Sequence, residues 1–238
     1  MHAIECKGLT KRYGEFTAVD GIDFTVERGI ICGLLGPNGA GKSTAIRMLS
    51  CQSLPDDGSA LVSNLDTIKD RREVLSILGV VPQEHSFYGE LSVMENLLYF
   101  GSLYPVPAIE LKRRSNEVLQ LLELYNKRDS RSSSLSGGMK TRLNIACALV
   151  HKPEVVILDE PSVGLDPVSR RALWETIRRL RGEGVTVLLT THYMEEAEEL
   201  CDMIFIMHRG KIVAQGSPEE LKESIGEDVI TIKSRPGK

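Results

Sequence analysis

Residues Gly36, Pro37, Asn38, Gly39, Ala40, Gly41, Lys42 and Ser43, followed by Thr44, have the spacing G-x-x-x-x-G-K-[ST] of a phosphate-binding loop. Glycines at these points let successive backbone N–H groups turn inward around phosphate oxygens, at the positive end of the helix that follows. Lys42 is then placed to neutralise the outer phosphates of a nucleotide, and the Ser43 hydroxyl to ligate Mg²⁺. A second constellation is Asp159-Glu160, directly after the apolar run Val155-Val156-Ile157-Leu158. Two carboxylates emerge there at the carboxyl end of a buried strand, where open α/β sheets place ligands. Asp159 suits the Mg²⁺ shell, and Glu160 suits removal of a proton from an attacking water. An apolar strand ending in two acids is by itself an ordinary strand end; joined to a phosphate loop it completes a nucleotide hydrolase. Ser136-Gly137-Gly138, at the expected start of a helix, forms a further anion site.

These groups need a scaffold, and the apolar periodicity supplies one. Residues 30–35 are a continuous apolar run, as expected of a strand buried on both faces, and residues 45–50 have helical spacing. Strand, glycine-rich turn and helix is the context the phosphate loop requires. Residues 18–26 alternate apolar and polar before a break at Arg28-Gly29, which predicts antiparallel strands at a sheet edge. Residues 54–67 carry turn chemistry at Pro55-Asp56-Asp57-Gly58. A short strand over 78–81 precedes Pro82-Gln83, and the pattern is helical from about 92 to 125. Pro105 and Pro107 separate two helices there, and another helix is expected from about 138 to 150. Helix (167–181), strand (185–190), helix (193–200) and strand (203–207) follow, with one last strand expected in the GEDVITIK stretch. Such alternation predicts a parallel sheet covered by helices.

Composition narrows the function. The 238 residues suffice for one substantial core. A net charge of -4 and only 5% aromatic residues give no support for a surface devoted to nucleic acid. The five cysteines, Cys6, Cys32, Cys51, Cys147 and Cys201, are scattered and contain no CxxC pair, so neither a disulfide framework nor a zinc site is expected. The N-terminus carries charges where a signal peptide needs an apolar stretch, and no window is long and apolar enough to span a bilayer. Any membrane role is expected to come through a partner.

Leu135-Ser136-Gly137-Gly138-Met139 resembles the LSGGQ signature of ABC ATPases, with methionine where glutamine is usual. The other family motifs follow in order along essentially the whole chain. The resemblance implies a P-loop NTPase (RecA-like) α/β core with a parallel sheet, an antiparallel β subdomain on the N-terminal side and a helical subdomain inserted at about 86–150. Residues 1–238 then form one ATP-binding domain. By the same resemblance Tyr13 stacks on adenine, Gln83 contacts Mg²⁺ or the attacking water, Asp166 links the two sites of a dimer, and His192 touches the γ-phosphate. Ser136, Gly137 and Gly138 dock on the nucleotide held by the opposite subunit, because one ATP cannot use both phosphate loops of one chain. Met139-Lys140 and the THYMEEAE stretch are similar to the exporter branch built on ABC-2-type membrane subunits.

The resemblance therefore implies an ATP- and Mg²⁺-dependent motor for an exporter. It would act as a head-to-tail dimer with a second copy or a similar ATPase subunit, on integral membrane permease subunits, at the cytoplasmic inner face of the cell membrane. The family docks its membrane partner near a helical stretch expected over 84–103, where Phe87, Tyr88, Leu91, Val93 and Met94 either line a groove or pack internally. The alternative is a soluble ABC ATPase acting on nucleic acid, ribosome or a protein complex. Such relatives usually carry fused modules, long coiled coils or cysteine-rich inserts, and this sequence shows none of these.

Overall fold

Alternating burial pairs β1 (His2–Tyr13) with β2 (Phe16–Glu27) as an antiparallel hairpin in the computed structural model, which describes residues 2–225. Ile22, Phe24 and Val26 of β2 point inward while Gly21, Asp23, Thr25 and Glu27 face solvent, the period-two pattern of a half-covered sheet. The chain continues through β3 (Ile31–Leu35), α1 (Lys42–Leu49), β4 (Asp57–Val62), β5 (Leu65–Asp66), α2 (Arg71–Ile77) and β6 (Leu78–Val81). It then forms α3 (Val93–Ser102), α4 (Ala108–Leu121) and α5 (Gly137–Leu149) before β7 (Val155–Asp159). The last part contains α6 (Pro167–Gly182), β8 (Thr186–Thr191), α7 (Met194–Leu200), β9 (Met203–His208), β10 (Lys211–Gly216) and α8 (Pro218–Ile225).

The strands make two sheets. One is antiparallel in the order β2-β1-β4-β5; the other runs β10-β9-β3-β8-β7-β6, parallel from β9 to β6 with β10 antiparallel at its edge. Both the α/β core with its parallel sheet and the separate antiparallel sheet expected from the sequence are therefore present. One apolar cluster fills the space between the two sheets and α1, through Phe24, Leu34, Met48 and Phe205 among others. The other joins the opposite face of the parallel sheet to α3–α7 through Leu97, Leu119, Leu143, Trp174 and Ile177. Helices α3, α4 and α5 leave after β6 and return before β7.

Capping explains where these helices begin. The Ser92 hydroxyl and the Glu95 carboxylate form a reciprocal capping box on α3. Asp166 caps α6, with Pro167 at the first helical position, where a missing N–H costs nothing.

Several expectations need correction. The segment before Val93 is irregular, so the helix expected over 84–103 occupies only its second half. Of the five apolar residues noted there, Val93 is buried and Phe87 and Met94 pack on the core, while Tyr88 is exposed. Residues 54–67 hold strands β4 and β5 in addition to the turn, because β1 offers β4 a free edge and β4 in turn offers one to β5. Helices α2 and α8 and strand β10 were not anticipated; they are short and become stable only against the sheets. The last strand expected in the GEDVITIK stretch lies outside the described residues.

All five cysteines are buried and unpaired, and burial pushes their thiols up, that of Cys147 to about 12. Among the described residues no helix is long and apolar enough to cross a membrane.

Candidate active site

Strand register assembles the site. Leu34 pairs with Thr190 and Leu35 with Thr191, Asp159 also pairs with Thr190, and Val81 pairs with Leu158. The carboxyl ends of β3, β8, β7 and β6 therefore lie side by side. The segments leaving them carry Gly36, His192, Glu160 and Gln83, which are far apart in sequence.

The loop after β3 is held by Gly36 N–H donating to the Thr191 carbonyl at 3.2 Å and Ala40 N–H donating to the Pro37 carbonyl at 3.1 Å. Gly41 takes φ 106°, and a Cβ there would lie 2.3 Å from the Ala18 carbonyl oxygen. At Gly36 a Cβ would come within 2.2 Å of the Met207 carbonyl oxygen. Backbone, not a movable side chain, blocks both positions, so glycine is required by space at both and by torsion as well at Gly41. The loop and the first turn of α1 line a pocket of about 320 Å³, with Asn38, Gly39, Ala40, Gly41, Lys42, Ser43 and Thr44 on one side and Gln83 and Glu160 opposite. A glycine-rich loop running into a helix N-terminus makes an anion cradle.

Lys42 is 5% exposed; its Nζ donates to the Gly36 carbonyl at 2.7 Å and the Pro37 carbonyl at 3.2 Å. It also lies 3.3 Å from Glu160 Oε1. Glu160 has φ 47°, in the left-handed region that a non-glycine residue occupies at a cost of order 1–3 kcal/mol. Its N–H donates to Thr190 Oγ1 at 2.9 Å, and its Oε2 lies 3.1 Å from His192 Nδ1. The His192 ring packs 4.1 Å from that of Tyr193, which in turn carries the Arg170 guanidinium at 4.9 Å. A carboxylate held between an ammonium and an imidazole at a pocket wall is placed to take a proton from a bound water.

Asp159 Oδ1 accepts from Thr190 Oγ1 at 2.6 Å and from Ser43 Oγ at 3.3 Å. Hydroxyl, carboxylate and, from Gln83, amide oxygens are the hard donors Mg²⁺ prefers. Among the described residues no cluster of three or more His, Cys, Asp or Glu could hold a metal unaided. Mg²⁺ is commonly held by one or two carboxylates together with substrate phosphates and water, and Asp159 supplies one such carboxylate here.

Three sets of expected site residues, Ser136 to Gly138, Asp166 and Tyr13, lie apart from this pocket. Ser136 caps α5, its hydroxyl accepting from Met139 N–H at 3.4 Å, and neither it nor Gly137 nor Gly138 lines the pocket. Gly137 faces open space, whereas a Cβ on Gly138 would lie 2.9 Å from Ser169 Oγ. The Asp166 carboxylate accepts from Val168 N–H and Ser169 N–H at 3.0 Å each, and from Ser169 Oγ at 2.6 Å. The Ser169 hydroxyl, followed by these backbone donors, holds the Asp166 carboxyl below its ordinary range. Ser169 thus joins the start of the signature helix to the Asp166 loop. Met139 packs half-buried on the core, an apolar role a glutamine would fill less well. Tyr13 stands exposed outside the pocket lining with the Lys11 ammonium 5.7 Å above its ring.

The sequence reading missed Thr190, Phe16 and Ala18. Thr190 holds Asp159 and Glu160 together, and its signal was a hydroxyl at a strand end two residues before His192. Phe16 is 63% exposed, pairs with Tyr13 across the β1–β2 hairpin and lines the pocket together with Ala18. An exposed aromatic so near Tyr13 was the visible clue.

Residues 19–163 match the family described as ABC transporter. The chain is 43% identical over 230 residues to Nod factor export ATP-binding protein I of Ralstonia nicotianae, covering 96% of this chain and 72% of that protein. It is 42% identical over 227 residues to the linearmycin resistance ATP-binding protein LnrL of Bacillus subtilis, covering 95% and 73%. Among solved structures it is similar to a part of the ABC transporter complex cbiONQ from Clostridium perfringens, with a TM-score of 0.87 and 28% identity over 94% of this chain and 92% of that one.

Proposed function

The chain belongs to the ABC transporter family, and from that premise we propose that it is the ATP-binding, ATP-hydrolysing subunit of an ABC-2-type exporter, with its residues dividing the work as follows. Residues 1–238 act as one ATP-binding unit, with the helices between about 86 and 150 forming an inserted arm. Gly36 to Thr44 cradle the triphosphate, and Lys42 exchanges its contact with Glu160 for the outer phosphates. Ser43, Asp159 and Gln83 hold Mg²⁺, which neutralises charge on the β- and γ-phosphates when bound. Glu160 takes the proton of the attacking water, and His192 orients the Glu160 carboxylate from behind. Tyr13, with Phe16 beside it, receives the adenine. The observation that carries this reading is the Glu160 carboxylate, held within 3.3 Å of Lys42 Nζ and 3.1 Å of His192 Nδ1 at the wall of the phosphate pocket.

Ser136, Gly137 and Gly138 form a second phosphate loop that their own pocket does not use. They serve the nucleotide of a second copy, or of a similar ATPase subunit, in a head-to-tail dimer closed by two ATP molecules, and Asp166 links the two sites. Closure and reopening drive integral membrane permease subunits, against which the chain sits at the inner face of the cell membrane. The names of the Nod factor and linearmycin proteins speak of export and of resistance, which supports outward transport here, with the cargo chosen by those subunits.

Affinity capture from detergent-solubilised membranes, with Glu160→Gln and ATP holding the closed state, tests the partnership. Co-purification of a multi-spanning membrane protein supports it. Recovery of only ribosomal proteins, nucleic acid or soluble factors overturns it. Light scattering of the same variant with Mg-ATP should show a doubled mass, which Gly138→Asp should abolish.

A further inference from the structure

We infer that Asn144 is a positioning residue for hydrolysis, fixing the Gln83 segment to the signature helix. This rests on the reading of Gln83 as the group that meets Mg²⁺ and water. Asn144 lies on α5 about two turns beyond Ser136 and is only 3% exposed. A buried amide in a helix interior is poor both in helix propensity and in burial cost, unless all its bonds are made. Here they are made, to a single segment. Asn144 Oδ1 accepts from Ser86 N–H at 3.1 Å and from Ser86 Oγ at 2.8 Å. Its Nδ2 donates to the carbonyls of Pro82 at 3.2 Å and Glu84 at 3.4 Å, which flank Gln83.

Apart from Phe87, which packs on the core with His85 stacked on it, the segment depends on these side-chain bonds. Beyond the sheet ladder, no described backbone–backbone hydrogen bond involves residues 83–87, and residues 82–86 are exposed. Its far end is held in the same manner. The fully buried Asn96 of α3 accepts from Tyr88 N–H at 2.8 Å and donates to the Tyr88 carbonyl at 2.9 Å. Two side-chain amides of the helical arm therefore set the path of the loop, and Asn144 acts at the point where Gln83 enters the phosphate pocket. Helix α5 itself is seated firmly on the strand that leads to Gln83. A Cβ at Gly79 of β6 would come within 2.5 Å of the Ala148 carbonyl oxygen. Displacement of the signature helix therefore carries Gln83 with it, and an ordered Gln83 requires Asn144.

The test is a double-mutant cycle on the purified chain, measuring Mg-ATP hydrolysis, nucleotide affinity and melting temperature for Asn144→Ala, Gln83→Ala and the pair. Asn144→Ala should lower kcat roughly 10- to 100-fold, the range for groups that orient a ligating side chain from behind, with nucleotide affinity within about twofold. On the Gln83→Ala background the same substitution should have almost no further effect. Asn144→Asp keeps the volume and the Ser86 bonds but sets a carboxylate against two carbonyls. It should match Asn144→Ala and guards against misfolding of the smaller variant. If Gln83→Ala is impaired but the two losses multiply, the positioning role is overturned while the reading of Gln83 survives. If Gln83→Ala hydrolyses at the wild-type rate, both fall.

Discussion

Replacing Glu160 with glutamine separates three consequences that the geometry ties together. Loss of a general base costs about 10²–10⁴-fold in kcat, or about 2.7–5.5 kcal/mol of barrier. The backbone strain at φ 47° is the same for both side chains, so no relaxation of the loop confuses the comparison. The second consequence is on stability without nucleotide. Glu160 and Lys42 form a buried pair at 3.3 Å, and removing one partner of such a pair typically costs about 3–5 kcal/mol. Lys42 keeps its two loop carbonyls, and the new amide oxygen can still accept from it, so the loss should shrink to about 1–2 kcal/mol. For a chain of this length that is a fall of about 2–8 °C in melting temperature.

The third consequence has the opposite sign. Lys42 must release Glu160 to meet the phosphates, and a neutral glutamine competes less, so affinity for ATP should be unchanged or higher. Phosphate release measures the first effect, a thermal melt without nucleotide the second, and equilibrium binding of a fluorescent ATP analogue the third. Turnover near wild type would remove Glu160 from the base role. A tenfold loss of affinity would refute the idea that Lys42 is shared between Glu160 and phosphate.

Gly41→Ala should abolish nucleotide binding and destabilise the fold by more than about 2 kcal/mol in urea titration, because the new Cβ meets the Ala18 carbonyl oxygen and the residue must keep φ 106°. Gly138→Ala should leave nucleotide binding in the chain's own pocket intact, since the residue lies outside it, yet hinder the ATP-dependent doubling of mass through the 2.9 Å approach to Ser169 Oγ. His151 stacks 3.8 Å from Tyr104 and donates from Nε2 to the Leu78 carbonyl at 3.2 Å, and burial first, then the nearby Arg114, lowers its pKa to about 4. The unfolded chain takes up that proton near pH 6.5, so this contribution is complete above pH 6.5 and is lost as pH falls towards 4, by up to about 3 kcal/mol. His151→Phe keeps the stacking and should flatten the stability curve across that window.

Most of the chemistry was legible in the order of residues because it is local. A phosphate loop is one turn and one helix start, so Gly36 to Thr44 announce themselves. The Asp159-Glu160 pair and the Ser136 cap need only a strand end or a helix start of their own. The parallel strands were equally visible, since burial on both faces leaves continuous apolar runs such as Val155 to Leu158. Short elements were not. β5, α2, β10 and α8 exist because a neighbouring sheet edge or face stabilises them, and no local pattern contains that neighbour.

Tertiary structure alone decided who stands beside whom. Thr190 reaches Asp159 and Glu160 through the pairing of β7 with β8, a register fixed by burial of both strands. The extended reading of residues 84–92 as helix failed because the segment closes only a single turn, Leu91 N–H to the Tyr88 carbonyl at 3.2 Å. It follows Asn144 and Asn96 instead, two amides whose meaning appears only when α3 and α5 are packed beside it. Residue types and spacing therefore determined which reaction this chain performs. The sheet register and the packing of the helical arm decided which further residues hold the reacting groups in place, because those contacts join segments the sequence keeps far apart.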